Sequence, residues 1–242
     1  MPKTIAEWEA ESFVMEIVRA ENIVKNYKGT GNVLDGISLS VNKGEFVSVL
    51  GASGSGKTTL LSVLGGIERP DGGKVFIGGR EITGLRERDL AVLRRTEISF
   101  VFQFFNLAPY LTAEQNILVP VLLAGKRRKD VADRLDFLLD FMGLKGRKDS
   151  FPDKLSGGEQ QRTAIARGLI FNPEIIFLDE PTGNLDSVNA LAVMRLLSEI
   201  NRKTGTTVIQ VTHSKENALF GTRIIKIKDG RITDDYQTGE RI

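Results

Sequence analysis

Residues 45–50, EFVSVL, run directly into residues 51–58, GASGSGKT, and a helix-like stretch over residues 59–65 follows. The first stretch is a compact apolar strand, so the order is strand, glycine-rich loop, helix. The loop fits G-x-x-x-x-G-K-[ST], in which successive backbone N–H groups wrap a phosphate at the positive N-terminal end of a helix. A chance match in a glycine-rich turn is the alternative, and the flanking strand and helix argue against it. We predict a phosphate-binding loop in which Lys57 reaches the β- and γ-phosphates and the Thr58 hydroxyl ligates Mg²⁺.

A second motif lies at the end of another apolar strand. Residues 175–178 are followed by Asp179 and Glu180, and two carboxylates at a strand end are costly unless a cation or a reaction uses them. Asp179 suits a magnesium shell. Glu180 is aimed differently and could accept a proton from a water that attacks the γ-phosphate. A solvated strand end is the plainer interpretation.

Composition limits the function classes. The chain has 242 residues, 41% of them hydrophobic and 26% charged, which favours one soluble α/β unit with an insertion. A formal charge of +2 does not support a nucleic-acid partner, and zero cysteines exclude disulfides and thiolate metal sites. We find no apolar run near the ~20 residues that cross a bilayer, so we expect the chain not to enter a membrane by itself.

Alternating strand and helix patterns predict a mostly parallel sheet that is covered on both faces. Strands are predicted at 17–24, 37–41, 45–50, 98–102, 175–178, 207–211 and 223–227, and helices at 59–65, 113–123, 131–142, 163–170 and 189–201. The first two strands, split by a turn over residues 27–31, predict an antiparallel β edge layer. Residues 1–16 are expected to form an N-terminal extension, and residues 104–154 a helical subdomain inserted into the main domain, residues 17–242.

A third motif decides the family. Residues 155–162 read LSGGEQQR before a helix, so Ser156 is a candidate N-cap and the paired glycines leave backbone N–H groups open to an anion. Together with the two motifs above, this segment resembles the LSGGQ-like signature of the ATPase subunits of ATP-binding-cassette (ABC) transporters. The resemblance runs from about Val14 to Ile232 and implies a P-loop NTPase core. Glu159 departs from the commoner glutamine, and we infer no loss of activity from it.

The resemblance assigns roles residue by residue. Tyr27 would stack on adenine, Gln103 would contact Mg²⁺ and the attacking water, and His213 would contact the γ-phosphate. Residues 184–187 would cross a dimer interface, although Asp186 or Ser187 could equally cap a helix, and Tyr27, Gln103 and His213 could each be structural. In total it implies catalysis by Glu180, His213 and Gln103; metal ligation by Thr58, Gln103 and Asp179; and nucleotide contacts by Tyr27, Gly51, Ala52, Ser53, Gly54, Ser55, Gly56, Lys57, Thr58, Thr59, Ser156, Gly157, Gly158 and Asp186.

The implied mechanism closes each ATP between the loop of one copy and the signature of the other, so the active unit is a homodimer that works with ATP and Mg²⁺. The implied partner is a membrane permease at the cytoplasmic face of the cell membrane, docked in a groove lined from residues 104–107 and the helices that follow. The segments around Gln103 and Asn184 look most like those of macrolide exporters, lipoprotein-release systems and antimicrobial-peptide resistance or cell-division permeases. Two alternatives stay open: an ATPase that acts on nucleic acid, and an ATPase that switches a permease-like protein without transport.

Overall fold

The computed structural model describes residues 15–27, 29 and 31–239. Its strands are β1 (Glu16–Tyr27), β2 (Gly31–Asn42), β3 (Phe46–Leu50), β4 (Gly72–Ile77), β5 (Arg80–Glu81), β6 (Ile98–Val101), β7 (Ile175–Asp179), β8 (Thr207–Thr212), β9 (Arg223–Lys228) and β10 (Arg231–Gln237). Its α-helices are α1 (Lys57–Leu64), α2 (Glu87–Thr96), α3 (Ala113–Leu123), α4 (Ala132–Phe141), α5 (Gly157–Leu169), α6 (Ser187–Thr204) and α7 (Lys215–Ala218). None of these helices is long and apolar enough to cross a bilayer.

The strands form two sheets, as predicted. The six-stranded sheet has the order β10-β9-β3-β8-β7-β6, and every neighbouring pair in it is parallel except the β9–β10 hairpin. The four-stranded sheet, β2-β1-β4-β5, is antiparallel throughout and is the predicted edge layer. The parallel sheet brings the carboxyl ends of β3, β7 and β8 to one edge, where ligands bind in such folds.

Apolar side chains on both faces of the parallel sheet explain its uninterrupted hydrophobic strands. Along β7, Ile175 and Phe177 pack into one core with α1 and the antiparallel sheet. Ile176 and Leu178 point the other way, into a second core with α3, α4, α5 and α6. Alternate side chains of the strand are therefore buried on opposite faces of the sheet. The prediction of a sheet that is covered on both faces is confirmed.

The structure corrects several predicted boundaries near the N-terminus. The predicted extension lies outside the described residues as far as residue 14, and Glu16, its last residue, instead begins β1 and pairs with Asn42. The turn predicted over residues 27–31 is shorter, because Tyr27 ends β1 and pairs with Gly31, which begins β2. Cross-strand pairing therefore carries both strands past the ends of their apolar pattern.

Other segments differ because tertiary packing and capping outweigh local propensity. Residues 72–96, for which the sequence pattern indicates no element, contain β4, β5 and α2. The helix predicted at 163–170 begins six residues earlier, at Gly157, behind an N-cap at Ser156. This helix, α5, contacts both α3 and α4, so the helical layer reaches beyond the predicted boundary at residue 154.

Candidate functional site

The loop between β3 and α1 is shaped by close approaches that only glycine permits. Gly54 and Gly56 have φ of 77° and 96°, in the left-handed region that glycine favours. A Cβ at Gly56 would lie 2.5 Å from the Val33 carbonyl oxygen, and one at Gly51 would lie 2.4 Å from the Ile227 carbonyl oxygen. No side chain caps the first turn of α1, which leaves its N-terminus open to an anion.

The loop lysine is folded back onto its own loop. The Lys57 side chain is almost fully buried, and its Nζ donates a hydrogen bond of 2.8 Å to the Ala52 carbonyl oxygen. A buried ammonium group with a neutral backbone partner gains more from an anion, because charge-assisted hydrogen bonds are about twice as strong as neutral ones. Its position suits an incoming phosphate.

Thr58 and Asp179 meet across the loop and the end of β7. The Thr58 hydroxyl donates a hydrogen bond of 3.0 Å to Asp179 Oδ1. Burial raises the pKa of Asp179 above its usual range, the adjacent Glu180 adds to the rise, and the Thr58 bond opposes it. A hydroxyl and a carboxylate are hard oxygen donors of the kind that Mg²⁺ prefers, and a cation would offset the cost of burying the charge. These two residues fit a magnesium ion.

Glu180 turns away from the strand line and meets the only histidine. Its backbone adopts a left-handed φ of 46°, and its Oε1 lies 2.9 Å from His213 Nδ1. The Glu180 side chain is 14% exposed, whereas that of His213 is 66% exposed. Since β7 and β8 are adjacent and parallel, their carboxyl ends bring the two residues together.

A cleft of about 370 Å³ joins the loop to these strand ends. Its lining comprises Val33, Ser53, Gly54, Gly56, Lys57, Thr58, Thr59, Gln103 and Glu180. Gln103 follows β6, and its carbonyl oxygen accepts a hydrogen bond of 2.9 Å from Asn184 Nδ2. The loop after β6 is thereby tied to the segment that follows Glu180.

The signature segment is built as a capped and tightly packed helix start. The Ser156 hydroxyl accepts a hydrogen bond from the Glu159 N–H, and the Glu159 carboxylate accepts one from the Ser156 N–H, which is a capping box. A Cβ at Gly158 would lie 2.4 Å from Asn189 Oδ1. Asn189 is in turn held by Asp186, the N-cap of α6, through bonds of 2.9 Å and 2.6 Å. Asp186 does cap a helix, and it also braces the signature.

Among the residues that the structure describes, none of Ser156, Gly157 and Gly158 lines the cleft that holds Lys57. One copy of the chain thus keeps the phosphate loop and the signature apart. Seven further predicted residues also lie outside the cleft lining. They are Ala52, whose carbonyl oxygen holds Lys57; Gly51 and Ser55, within the loop; Asp179 and His213, which bond to the lining residues Thr58 and Glu180; Tyr27; and Asp186, the N-cap of α6.

Tyr27 lies beside the cleft at the end of β1. Its hydroxyl hydrogen-bonds to Thr59, which lines the cleft, and to the carboxylate of Glu68 at 2.6 Å and 2.7 Å. Burial and the Glu68 carboxylate raise the pKa of Tyr27, so the phenol stays neutral. Sequence reasoning missed Glu68, Val33 and Asn189; only Asn189, three residues after a capping aspartate, has a recognisable signal.

A separate groove of about 440 Å³ lies between the parallel sheet and the helical layer. Its lining comprises Ile67, Arg94, Arg95, Ile98, Ser99, Phe100, Phe102, Val119, Pro120, Arg167, Gly168, Phe171 and Pro173. Residues 104–107, predicted to line such a groove, are not among them, although Val119 and Pro120 come from the helix that follows. Arg167 explains the difference, because its guanidinium donates to the carbonyl oxygens of Phe105 and Asn106 and holds that loop aside.

Comparisons with known proteins agree on one family. The profile of the family described as ABC transporter matches residues 34–183. The lipoprotein-releasing system ATP-binding protein LolD of Aquifex aeolicus is 49% identical over 220 residues, which cover 91% of this chain and 97% of that protein. The macrolide export ATP-binding/permease protein MacB of Chlorobaculum tepidum is 44% identical over 92% of this chain and 34% of that protein. The dimeric post-hydrolysis structure of the ATP-binding cassette MJ0796 bound to ADP and Pi superposes with a TM-score of 0.83 and 39% identity, over 93% of this chain and 100% of that one.

Proposed function

This chain belongs to the ABC transporter family, and on that premise we propose that its cleft binds ATP as one half of a site that a second copy of the chain completes. The chain is an ATPase subunit of this family, similar to the ATP-binding proteins of lipoprotein-release and macrolide-export systems. The dimeric post-hydrolysis structure of MJ0796 bound to ADP and Pi supports both the dimer and the hydrolysis.

The separation of loop and signature carries the proposal. In one copy Ser156 does not reach the cleft, so the triphosphate would be held on one side only and its γ-phosphate would stay exposed to water. The exposed Ser156 at the start of α5, with the N–H groups of Gly157 and Gly158 behind it, suits the open side of a partner's γ-phosphate. Two copies arranged head to tail would complete two sites.

Within each site the side chains divide the work. Lys57 would exchange its Ala52 carbonyl partner for the β- and γ-phosphates. Thr58, Asp179 and Gln103 would hold Mg²⁺, which would neutralise charge on the transferred γ-phosphoryl group and on the ADP that leaves. Glu180 would accept the proton of the attacking water, and His213, bonded to Glu180, would hold the γ-phosphate end of the site. Tyr27 would stack on the adenine beside Thr59.

The proposed partner is a membrane permease, and the proposed place of the chain is the cytoplasmic face of the membrane. The groove at Phe100 and Phe102 fits this partner, because it combines apolar walls with three arginines. Arg167 links it directly to the loop after Gln103, so a segment seated there would contact the same structure that reaches the cleft. We propose export of the macrolide, lipoprotein or antimicrobial-peptide type.

Mixing two inactive variants tests the shared site. Lys57→Ala removes the phosphate contact and Ser156→Arg blocks the signature, so each variant alone should be inactive. In a mixed dimer one composite site keeps both an intact loop and an intact signature, and we expect ATPase activity to return in part. The control is a chain that carries both substitutions, which restores no intact site when mixed with Lys57→Ala. Confirmed mixed dimers without recovered hydrolysis would refute the shared site.

A further inference from the structure

Tyr27 is anchored at its hydroxyl although its ring is substantially exposed. The residue is 39% exposed, and the carboxylate of Glu68 lies within 2.7 Å of the phenol oxygen. Glu68 lies 41 residues further along the chain, in the segment after α1. An exposed tyrosine normally samples several rotamers, so a hydroxyl fixed at its far end holds the side chain in one rotamer and sets the direction in which the ring extends.

A buried ammonium group strengthens this anchor. The Lys25 side chain is only 13% exposed; its Nζ donates a hydrogen bond of 2.8 Å to the Arg69 carbonyl oxygen and forms ion pairs with Glu68 at 3.4 Å and Asp71 at 3.5 Å. The same ammonium lies 5.6 Å from the centroid of the Tyr27 ring. Lys25 therefore holds Glu68 in place and contacts the ring that Glu68 orients.

The segment after α1 is fixed to both the helix and the strand. The N–H groups of Ile67 and Glu68 donate to the Ser62 carbonyl oxygen within α1. Asp71 accepts a hydrogen bond of 2.7 Å from the N–H of Asn26, the residue before Tyr27. These bonds fix the position of Glu68 relative to the phosphate loop, which precedes α1.

We propose that Glu68 is a positioning residue that holds the Tyr27 ring in the orientation that receives the adenine base of ATP. This inference rests on the proposed function, in which Tyr27 stacks on adenine. The ring then loses its rotamer freedom when the chain folds. The entropic cost of fixing it therefore does not weaken nucleotide binding. The preference for a purine nucleotide over a bare triphosphate chain depends on Glu68, which itself need not touch the nucleotide.

Binding of ATP and of inorganic tripolyphosphate by the full-length chain separates this role from a general effect on the fold. We expect Glu68→Ala, which removes the acceptor of the Tyr27 hydroxyl, to weaken ATP binding about three- to tenfold. The affinity for tripolyphosphate, which has no base, should stay unchanged, and in steady state the KM for ATP should rise while kcat does not. Tyr27→Phe keeps the ring and removes the hydroxyl, so it should reproduce the Glu68→Ala result even if that variant folds poorly. Glu81→Ala, which removes an exposed ion pair on an edge strand, is the matched control and should change neither affinity.

The variant Tyr27→Ala tests the stacking role of Tyr27 separately from the positioning role of Glu68. It should weaken ATP binding about tenfold or more, and Glu68→Ala added to it should have no further effect. Unchanged ATP affinity in Tyr27→Ala would refute the stacking role, and with it the proposal. A large loss in Tyr27→Ala with unchanged affinity in Glu68→Ala and Tyr27→Phe would overturn the positioning role alone. Equal losses for ATP and tripolyphosphate would also overturn it.

Discussion

The phosphate loop and the signature segment differ in how their polar groups are occupied. At the loop, each functional side chain has one partner within the chain: Lys57 bonds to a carbonyl oxygen, Thr58 to Asp179, and Glu180 to His213. At the signature, Ser156 and Glu159 bond reciprocally, and Gly158 packs against Asn189 without room for a Cβ.

This difference separates an adaptable half of the site from a rigid one. The loop groups hold partners that a phosphate, a metal ion or a water can replace at little cost, since each replacement exchanges one polar contact for a stronger one. The bonds and contacts of the signature segment fix where α5 begins and how it packs against α6. We infer that the loop half changes its bonds during turnover, while the signature half is preorganised and moves as a body.

The largest expected effect comes from the adaptable half. Glu180→Gln removes the proposed proton acceptor and leaves the shape, so ATP should still bind while hydrolysis slows by about 10²- to 10⁴-fold. If the γ-phosphate joins the two copies as proposed, it then persists, and a dimer with bound ATP should accumulate. Steady-state hydrolysis and gel filtration with ATP measure both effects.

Glu216→Gln is the control for this substitution, since Glu216 is exposed and lies near His213 but outside the cleft lining. It should hydrolyse ATP at the normal rate. A Glu180→Gln variant that elutes only as a monomer and hydrolyses ATP without loss would contradict the assignment of Glu180 as the base.

A smaller effect is expected from the rigid half. Gly158→Ala places a Cβ 2.4 Å from Asn189 Oδ1 and 2.8 Å from its Cγ, so the Asn189 side chain must shift and its bond to Asp186 is strained. We expect the free energy of unfolding to fall by about 1–3 kcal/mol, and activity to fall because the signature is displaced. Urea denaturation measures the first and ATP hydrolysis the second.

Asn189→Ala combined with Gly158→Ala should recover much of this loss, because it removes the clashing amide and keeps the backbone bond to Asp186. Gly146→Ala is the matched control, since a Cβ there meets nothing within 4 Å. No recovery in the double variant would mean that the packing against Asn189 does not explain the glycine.

The two halves also differ in how far the sequence predicts them. The loop and the pair Asp179–Glu180 are predicted in place, because an apolar strand followed by polar residues fixes which groups reach the sheet edge. The start of α5 is predicted in part: Ser156 is predicted and confirmed as an N-cap, but the helical pattern is placed only at 163–170, because Gly157 and Gly158 have low helix propensity and the capping box and packing against α6 outweigh it.

Long-range partners set the limit of sequence reasoning. Tyr27 is predicted as a ligand of the base, but its bond to Glu68 joins positions 41 residues apart and leaves no local pattern. The strand β4 is missed because it begins with Gly72 and Gly73 and depends on pairing with β1. Contacts between residues far apart in the sequence are visible only in the folded structure.

The smallest effect concerns the residue that departs from the family signature. In Glu159→Gln the amide oxygen can still accept the Ser156 N–H, while the partly exposed ion pair of 3.2 Å with Arg147 is lost. We expect the free energy of unfolding at pH 7 to change by less than about 1 kcal/mol. ATP hydrolysis should be unchanged, since Glu159 serves the cap.

Lowering the pH should distinguish glutamate from glutamine at position 159, and the N-terminal cap of α3 offers a matched comparison. The Ser156 N–H, with smaller contributions from Arg147 and Arg162, holds the pKa of Glu159 below its usual range. Its stabilising effect is therefore full above the unfolded pKa of about 4.3 and is lost as the pH falls through the lower folded value. Glu159→Gln should lose less stability over that interval.

The capping box of α3 makes the same two bonds with a glutamine in place of the glutamate. The Thr112 N–H donates to Gln115 Oε1 at 2.9 Å, and the Gln115 N–H donates to the Thr112 hydroxyl at 3.3 Å. Gln115→Glu should therefore add the acid sensitivity that Glu159→Gln removes. Urea denaturation between pH 7 and about pH 3 measures both changes, and parallel curves for all variants would show that neither cap titrates with folding.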